Sequence, residues 1–470
     1  MCLPLGAIFK LFKMKSYNLF TLILVFLLTC SMMGCKKFLD EKSDARLVVP
    51  QTLSDIQGLL DDGVTMNYAV TPSYGETSAD DYFLQPSVLE RSGAIAKNIY
   101  AWKPITINFG FDWSRAYLPV YNSNLSLELL DKVPRSPSNS LQWDNIKGSA
   151  LFFRSYYYLL LTTQHGFAYD QQNSATDLGI VIRESSDFNQ VSVRSSVKTC
   201  YERVIKDLEE SINYLPDLPQ HPMRPSKAAA YALLARTGLY MRDYAMAQKY
   251  SELSLKLKPE LMDYNGDSDL NALTAAVPIK RFNKETIFYS EMYSGLSFHS
   301  PIYGNIDTVL YASYPVNDLR KTAYFRLVSG YPVFKGSYSS NANTLFSGLT
   351  TAEQYLTRSE SKAFLGDLAG AMTDLNFLIR KRWRNGTAFT PYSATDKASV
   401  LLIIRAERRK EMLMRGTRWA DIKRQNKEGA NIVPVRKLDG QIIRLEPDSR
   451  FYALPLPTDI ISLTGMPQNN

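Results

Sequence analysis

The fold is decided by one stretch, residues 225–259, whose sequence is PSKAAAYALLARTGLYMRDYAMAQKYSELSLKLKP. Its first half, Lys227 to Met241, is rich in alanine and leucine, which are strong helix formers. A short polar pair, Arg242-Asp243, turns the chain. The second half, Tyr244 to Lys258, is a return helix that Pro259 ends, because proline cannot continue a helix. The stretch therefore predicts two antiparallel helices.

Small residues recur in this hairpin where two packed helices come close, and larger residues fill the space between them. The small positions are Ala235, Ala247 and Ser254, and the large ones are Tyr231, Leu234 and Tyr244. This arrangement is the tetratricopeptide pattern, which has a period of about 34 residues. One such hairpin cannot bury both of its faces, so we expect further hairpins to stack on it.

A second copy of the pattern lies at residues 352–383, AEQYLTRSESKAFLGDLAGAMTDLNFLIRKRW. A shift of 124 residues places Tyr231 on Tyr355, Asp243 on Asp367 and Ala247 on Ala371. Small and large positions match together, which favours a repeat. The alternative is two unrelated hairpins of similar composition.

The N-terminus has the layout of a secretory signal: lysines at 10, 13 and 15, an apolar run at 19–28, and then small residues. The apolar run is shorter than the roughly 20 residues that span a membrane. Cys35 ends the string MMGC at 32–35, which resembles a lipobox. We expect cleavage to leave Cys35 as the first residue, to be acylated. An ordinary cleavage site beside an unrelated cysteine is the alternative, and the start codon is open between Met1 and Met14.

Cysteine usage and charge exclude some classes of protein. Cys2 and Cys30 would leave with the signal and Cys35 would carry lipid, so Cys200 remains alone and is expected to be buried and inert. The formal net charge is +8, but Lys and Arg are spread along the chain and no nucleic-acid motif occurs. We therefore expect no nucleic-acid partner.

Further helices and two irregular segments complete the pattern. A short helix is predicted at Leu53–Leu60, capped by Thr52 or Ser54. Residues 63–110 show little helical periodicity, and residues 276–350 interrupt the repeat with many Tyr, Ser, Asn and Gly. The other predicted helices cover residues 113–133, 141–163, 195–215, 398–414 and 417–424, with a strand or turn at 179–182.

Several strings, in their order and spacing, resemble the SusD/RagB family of surface-exposed outer-membrane lipoproteins. They are CKKFLD at 35–40, ALFFRSY at 150–156, the repeat from Ala228, YLTRSE at 355–360, Leu375-Asn376 to Arg380, ERRKE at 407–411 with Gly416, Arg418, Asp421 and Arg424, and LPLP at 454–457. One departure is Arg415, where the family more often has an acid before the glycine. That difference puts one salt bridge in doubt.

The resemblance implies a binding protein and not an enzyme. Members of the family cover a SusC-like TonB-dependent outer-membrane transporter and deliver an oligosaccharide, or in some members a peptide, to it. Peptide binding is therefore one alternative, and a glycoside hydrolase is another, because glycosidase carboxylates have no short motif. The three histidines, His165, His221 and His299, have no metal spacing, and no nucleophile-elbow, P-loop or dinucleotide motif occurs. No cofactor is expected.

A pyranose ring has an apolar face of C–H groups and a rim of hydroxyls, so binding it takes flat aromatic residues and polar neighbours. The two irregular segments offer that mixture. Trp102 is the leading candidate because Trp113, Trp143, Trp383 and Trp419 all fall on predicted helices and should pack in the core. The alternative is that most of these aromatic residues pack a small core. The candidate ligand-binding residues are Tyr74, Asp80, Tyr82, Tyr100, Trp102, Tyr293, His299 and Tyr303.

Two acidic groups have simpler explanations than a metal or a catalytic site. The loop Asp263–Asp269 alternates oxygen ligands like the start of a calcium loop, but Ser268 and Thr274 stand where glycine and an acid are needed, so a polar turn is favoured. Glu407 and Glu411 share a helix face with arginines nearby, which favours an ion-pair network over a catalytic pair.

Together these patterns predict a mainly α fold, a tetratricopeptide-like solenoid of about four helical hairpins with an irregular, loop-rich inserted subdomain. The expected parts are a signal peptide at 1–34, a lipidated tether at 35–50, an N-terminal part with the first repeats at 51–259, an irregular insertion and candidate ligand face at 260–350, the last repeat and C-terminal helices at 351–425, and a wrapping tail at 426–470.

Overall fold

The computed structural model describes residues 50–106, 111–295, 298–438 and 440–469. From residue 51 onward the chain forms one compact unit. The predicted signal peptide and Cys35 lie outside the described residues, so lipidation of Cys35 stays a prediction.

The described residues are mainly helical, which confirms the predicted fold class. Seventeen α-helices occur in this part of the chain. In chain order they are α1 (Leu53–Asp61), α2 (Gly63–Met66), α3 (Tyr74–Ser78), α4 (Pro86–Glu90), α5 (Ala94–Tyr100), α6 (Phe111–Leu130), α7 (Ser140–His165), α8 (Val197–Ser211), α9 (Lys227–Met241), α10 (Tyr244–Leu257), α11 (Thr308–Ala312), α12 (Leu319–Tyr324), α13 (Thr351–Phe364), α14 (Leu368–Arg380), α15 (Lys397–Glu411), α16 (Arg418–Asn426) and α17 (Thr458–Thr464).

The central hairpin consists of α9 and α10, as predicted. Ala235, Ala247 and Ser254 are fully buried, and the Ser254 hydroxyl donates to the backbone oxygen of Ala228 at 2.9 Å. Small side chains thus let the two helices approach closely. Tyr244 differs from the prediction, because its ring stacks on Phe364 of α13 with 3.7 Å between centroids. It therefore joins two hairpins, whereas we expected it to fill the space within its own.

The second hairpin, α13 and α14, reproduces the turn of the first one residue by residue. Arg242 has a φ of +62° and Gly366, 124 positions later, has a φ of +97°. The carboxylates of the next residues, Asp243 and Asp367, accept backbone N–H groups at 2.9 and 2.8 Å and so cap the return helices. Helix α10 packs against α13. This geometry is consistent with a tetratricopeptide-like repeat.

The N-terminal helices α6 to α8 pack side by side and share the largest core of the molecule. Tyr156, Tyr157 and Tyr158 on α7 are all fully buried, and their hydroxyls bond to neighbouring segments, such as Tyr157 to the Met66 backbone oxygen at 2.6 Å. Cys200 on α8 is fully buried, as predicted, and burial raises the pKa of its thiol. The buried hydroxyls tie α7 to distant parts of the chain.

The inserted residues 262–346 have a core of their own, which joins Leu413 and Met414 after α15. This finding confirms the interpretation that most aromatic residues of the insertion pack its interior. The buried rings are Tyr264, Tyr289, Tyr314, Tyr324, Phe325, Phe334, Tyr338 and Phe346.

Ten short strands form five two-stranded antiparallel pairs in the described residues. The strands are β1 (Tyr82–Leu84), β2 (Leu178–Val181), β3 (Arg194–Ser196), β4 (Thr286–Phe288), β5 (Gly304–Ile306), β6 (Phe325–Val328), β7 (Tyr331–Phe334), β8 (Leu349–Thr350), β9 (Val435–Leu438) and β10 (Gln441–Arg444). The pairs are β1–β5, β2–β3, β4–β8, β6–β7 and β9–β10. None of these described pairs joins a larger sheet.

Two local predictions were wrong. Residues 63–110, predicted to be irregular, include α2 to α5, whose lengths of four to seven residues are too short to show a helical period. Trp383 was predicted on a helix in the core, but α14 ends before it and the indole is half-buried, donating to the Ala388 backbone oxygen at 3.0 Å. Of the other helical tryptophans, Trp113 and Trp419 are buried, whereas Trp143 is only half-buried.

Candidate functional site

The two aromatic segments that the sequence singled out meet in the structure. Strand β1 pairs antiparallel with β5, with Tyr82 opposite Ile306 and Phe83 opposite Asn305. The backbone N–H of Tyr293 donates to the Thr71 oxygen at 2.9 Å, which joins the same two segments a second time. The site is therefore built from parts of the chain about 220 residues apart.

The β1–β5 ribbon has an inner and an outer face, because side chains alternate along a strand. Tyr82, Leu84 and Ile306 are buried on the inner face, whereas Phe83 is only half-buried. Directly opposite Phe83, the side chain of Asn305 accepts a hydrogen bond from Gln85 at 3.2 Å. Phe83 thus lies on the outer face of the ribbon, which points away from the core.

Strand β7 extends this face. The Tyr331 ring meets Phe83 edge-on, with 5.6 Å between centroids, and is 39% exposed. Tyr303, immediately before β5, is 46% exposed. We call this set, Phe83, Gln85, Tyr303, Asn305 and Tyr331, the outer ribbon face. It combines accessible aromatic rings with the half-buried amide of Gln85 and the buried amide of Asn305.

Arg436 on β9 organises the inner face. Its guanidinium lies 4.1 Å from the Tyr100 ring centroid and 4.8 Å from that of Tyr82, a cation–π arrangement. It also donates to the backbone oxygens of Tyr82 and Ala79. Strand β9 of the C-terminal tail therefore holds the inner face of the β1–β5 ribbon in place.

Trp102 is half-buried and held in an unusual backbone conformation. Its φ is +54°, which is an outlier for a bulky residue. The indole N–H donates to the Ser78 backbone oxygen at 2.9 Å, and the ring packs beside the buried cluster that contains Trp419. Ring position and backbone are thus both constrained, a combination that occurs at functional sites.

Four of the eight candidate residues lie inside the protein. Tyr74, Tyr82, Tyr100 and His299 are each at most 2% exposed. The His299 ring bonds to the Thr77 hydroxyl at 2.9 Å, and burial lowers the pKa of His299 to about 3. In this structure these four side chains support the site and do not offer a surface to a ligand.

Of the remaining candidates, two tyrosines are at least partly exposed and Asp80 forms an ion pair. Tyr303 is exposed, and Tyr293 is half-buried with the Arg115 guanidinium 4.4 Å from its ring centroid. Asp80 is bound by Arg418, whose Nε and Nη2 lie 2.6 and 2.9 Å from its two oxygens. Burial favours the neutral acid, but Arg418 and Arg409 hold the pKa of Asp80 below its ordinary value. Asp80 therefore serves an ion pair and is not a free acceptor for sugar hydroxyls.

Glu76 is an unusual buried acid next to this ion pair. One of its oxygens accepts the Gly416 N–H at 2.8 Å, and the other has no hydrogen-bond partner in the described residues. Burial, reinforced by Asp81, raises the pKa of Glu76 to about 8. The acid is therefore largely protonated at neutral pH.

The acidic groups that resemble catalytic or metal sites have structural roles. Arg320 contacts Glu407 at 2.6 Å and Glu411 at 3.1 Å, and Arg382 contacts Glu411 at 2.8 Å, which confirms the predicted ion-pair network. In the loop 263–269, Asp267 pairs with Lys284 at 2.8 Å, as a polar turn would. Across the described ranges, no group of three acidic, histidine or cysteine residues is placed to hold a metal ion.

The sequence analysis did not identify Phe83, Gln85 and Asn305 as candidate site residues. A signal was present for Phe83, since the alternation Tyr82-Phe83-Leu84 places one ring on each face of a strand. Gln85 and Asn305 became visible only through the pairing of β1 with β5. None of the described helices is long and apolar enough to cross a lipid bilayer.

Two family models together match most of the chain. A SusD-like model, described as starch-binding and associating with the outer membrane, matches residues 37–239. A second model, described as the SusD family, matches residues 264–457. No curated protein matches the chain in sequence.

Solved structures with the same fold include three SusD-like proteins. A SusD superfamily protein from Bacteroides thetaiotaomicron is 20% identical, with a TM-score of 0.71, covering 89% of this chain and 100% of its own. A SusD-like carbohydrate binding protein from Bacteroides vulgatus is 20% identical, with a TM-score of 0.67 and coverages of 88% and 97%. A laminarin binding SusD-like protein is 17% identical, with a TM-score of 0.63 and coverages of 88% and 97%. At these identities the likeness shows the fold.

Proposed function

Because the chain belongs to the SusD/RagB family, we propose that it captures an oligosaccharide and passes it to a SusC-like TonB-dependent outer-membrane transporter. The proposal places the protein on the outer membrane, anchored by acylated Cys35 and facing the cell exterior. The family description, starch-binding and associating with the outer membrane, supports this placement. The names of two structural neighbours, carbohydrate binding and laminarin binding, support the ligand class.

The observation that carries the proposal is the composition of the outer ribbon face. Phe83 and Tyr331 form an edge-on pair whose exposed surface suits the apolar face of a sugar ring. The half-buried amide of Gln85 lies beside them and can donate to and accept from sugar hydroxyls, while the buried Asn305 accepts from it at 3.2 Å and orients it. Tyr303 adds a further exposed ring. No covalent chemistry is required of these residues, so the protein acts by binding.

Binding of purified protein to laminarin, starch and a panel of peptides tests the ligand class. We expect saturable binding to at least one glycan, and we expect Tyr331→Ala to weaken it about tenfold, or about 1.4 kcal/mol. Tyr121→Ala is the matched control, because Tyr121 has the same 39% exposure as Tyr331 and lies on α6. Binding of peptides but not glycans would support the peptide alternative, and release of reducing sugar would support a hydrolase.

Trp102, the leading candidate from the sequence, lies near Arg436 and outside the outer ribbon face, and it provides a separate test. We expect Trp102→Ala to weaken glycan binding with only a small change in melting temperature. Trp102→Phe keeps a ring but removes the hydrogen bond to Ser78. It therefore distinguishes stacking of the ring on a ligand from the role of the hydrogen bond in holding the ring in place. Unchanged binding, or collapse of the fold, would mean that Trp102 is not a platform for the ligand.

The transport step needs a separate experiment. We expect a TonB-dependent transporter to co-purify with the tagged protein from detergent-solubilised outer membranes. A Cys35→Ser variant should lose the acyl group and leave the membrane fraction. Recovery of the wild-type protein without any transporter would contradict the hand-over.

A further inference from the structure

A cavity of about 460 Å³ is lined by residues that do not belong to the outer ribbon face. Its volume falls in the range of about 300 to 1,000 Å³ that is usual for small-ligand sites. It opens between the loop after α7, the end of α16 and the segment that precedes α17. The residues that line it and carry the argument are Asp177, Lys423, Lys427, Asp448, Arg450 and Tyr452.

The wall of this cavity contains a buried cation without a counterion. Lys423 is 5% exposed, and its ammonium donates to the backbone oxygens of Thr163 and Gly166 at 2.8 and 2.5 Å. These two bonds leave one of its three N–H groups unused. No described carboxylate forms an ion pair with it, and burial lowers the pKa of Lys423 to about 7. A buried charge of this kind is stabilised by an anion placed next to it.

Two further cations stand at the cavity. Arg450 is exposed and its guanidinium has no partner among the described residues. Lys427 lies 3.7 Å from Asp170, a long and partly exposed pair. The lining acids Asp177 and Asp448 form no ion pair within 4 Å in the described residues, although the charge of Lys427 opposes the rise that burial gives to the pKa of Asp177. Lys423 and Arg450 are therefore the two lining cations that have no carboxylate partner among the described residues.

The remaining lining suits a sugar. Phe167 is half-buried and supplies aromatic surface, whereas Tyr452 is 4% exposed and contributes little. Asn173 supplies an exposed amide. A sugar hydroxyl can both donate and accept a hydrogen bond. The carboxylate of Asp448 can accept from such a hydroxyl, and the guanidinium of Arg450 can donate to one. The combination of ring surface, hydroxyl partners and two cations without a carboxylate partner defines one class of ligand.

We propose that this cavity binds a carboxylate-bearing sugar, the hexuronate unit of an acidic oligosaccharide, with its carboxylate against Lys423 and Arg450. The inference rests on the proposed function only in taking saccharides as the ligand class. The site is separate from the outer ribbon face, so the two can fail independently.

Calorimetric titration of the purified protein with D-glucuronate, D-glucose and acetate tests the proposal. We expect glucuronate to bind about tenfold more tightly than glucose, the effect of one charge-assisted contact. Arg450→Ala should remove this preference, whereas Arg444→Ala, an exposed arginine outside the cavity, should leave it unchanged. Asp448→Asn should tighten glucuronate binding, because it removes a like charge.

Three results would overturn the proposal: equal affinity for glucuronate and glucose, an Arg450→Ala variant that binds like the wild type, or acetate that competes as well as glucuronate. A preference abolished by Tyr331→Ala and not by Arg450→Ala would assign the acidic sugar to the outer ribbon face. Glycan capture at the outer ribbon face without any glucuronate binding would refute this inference and leave the proposed function intact.

Discussion

The helical hairpins and the inserted residues 262–346 are held together by different interactions. In the hairpins α9–α10 and α13–α14, helices satisfy their own backbones and meet through small buried residues such as Ala235, Ala247 and Ala371. The insertion has short elements, and it is connected to the rest by buried charges, such as Arg320 with Glu407 and Glu411, as well as by packing on Leu413 and Met414. The contacts within each hairpin are therefore local, although a buried ion pair of 2.6 Å between Arg236 and Glu353 joins the two hairpins, whereas the insertion depends on contacts between residues about 90 positions apart.

The largest expected effect comes from breaking the buried network. Glu411 is fully buried, and although burial opposes ionisation, Arg382 and Arg320 lower its pKa to about 2. We expect Glu411→Gln to reduce the free energy of unfolding by up to about 3 kcal/mol. The variant removes one buried carboxylate from the network, while Arg320 keeps Asp318 and Glu407 and Arg382 keeps Glu285. Denaturant unfolding measures this change.

The control for that variant is Asp144→Asn, which breaks the exposed Arg135–Asp144 pair of 2.8 Å. Such surface pairs contribute less than about 1 kcal/mol. Equal losses in the two variants would show that the insertion does not depend on its buried charges.

The next effect is a pH dependence at Glu76, where α3 meets Gly416. Because its pKa is raised to about 8 in the folded protein, above the value of about 4.3 in an unfolded chain, the folded state binds the proton more tightly. Stability from this group is fully present below about pH 4.3 and is lost as the pH rises through about 8. We expect wild type to lose up to about 1.4 kcal/mol per pH unit relative to Glu76→Gln between pH 5.5 and 7.5. Parallel stability profiles of the two proteins would contradict the prediction.

The smallest effect compares two glycines in helices. A Cβ at Gly238 in α9 would lie 2.8 Å from the Ala247 nitrogen, so Gly238→Ala must push α10 away. We expect a loss of about 1 to 3 kcal/mol, the usual cost of overpacking. A Cβ at Gly58 in α1 meets nothing within 4 Å, so Gly58→Ala should stabilise the protein by up to about 1 kcal/mol. The same sign for both, measured by thermal unfolding, would mean that close packing does not control the central hairpin.

Much of the fold could be predicted because its decisive signals are local. The Ala-rich helix, the polar turn and the capping aspartate of residues 225–259 specify a hairpin without reference to the rest of the chain. The short helices α2 to α5 could not be predicted, since four to seven residues carry no readable period. The end of α14 before Trp383 was missed for a related reason, because helix ends fray over one or two residues.

The candidate site could be predicted only by region. Aromatic content selected the two segments, and the structure brought them together through β1 and β5. Which rings are accessible depended on strand register, which buries Tyr82 and leaves Phe83 half-exposed. Asp80 looked like a free acceptor, but its arginine partners lie more than 300 residues away.

The sequence by itself determined the helical hairpins, the insertion between them and the resemblance to a family of binding proteins, because helix propensity, turns and short strings act over neighbouring residues. Only the tertiary structure decided which aromatic residues face outward, which carboxylates are neutralised, and where Lys423 is left without a counterion. Those properties depend on burial and on distances between remote parts of the chain, which fix both the exposure of a ring and the charge of a group.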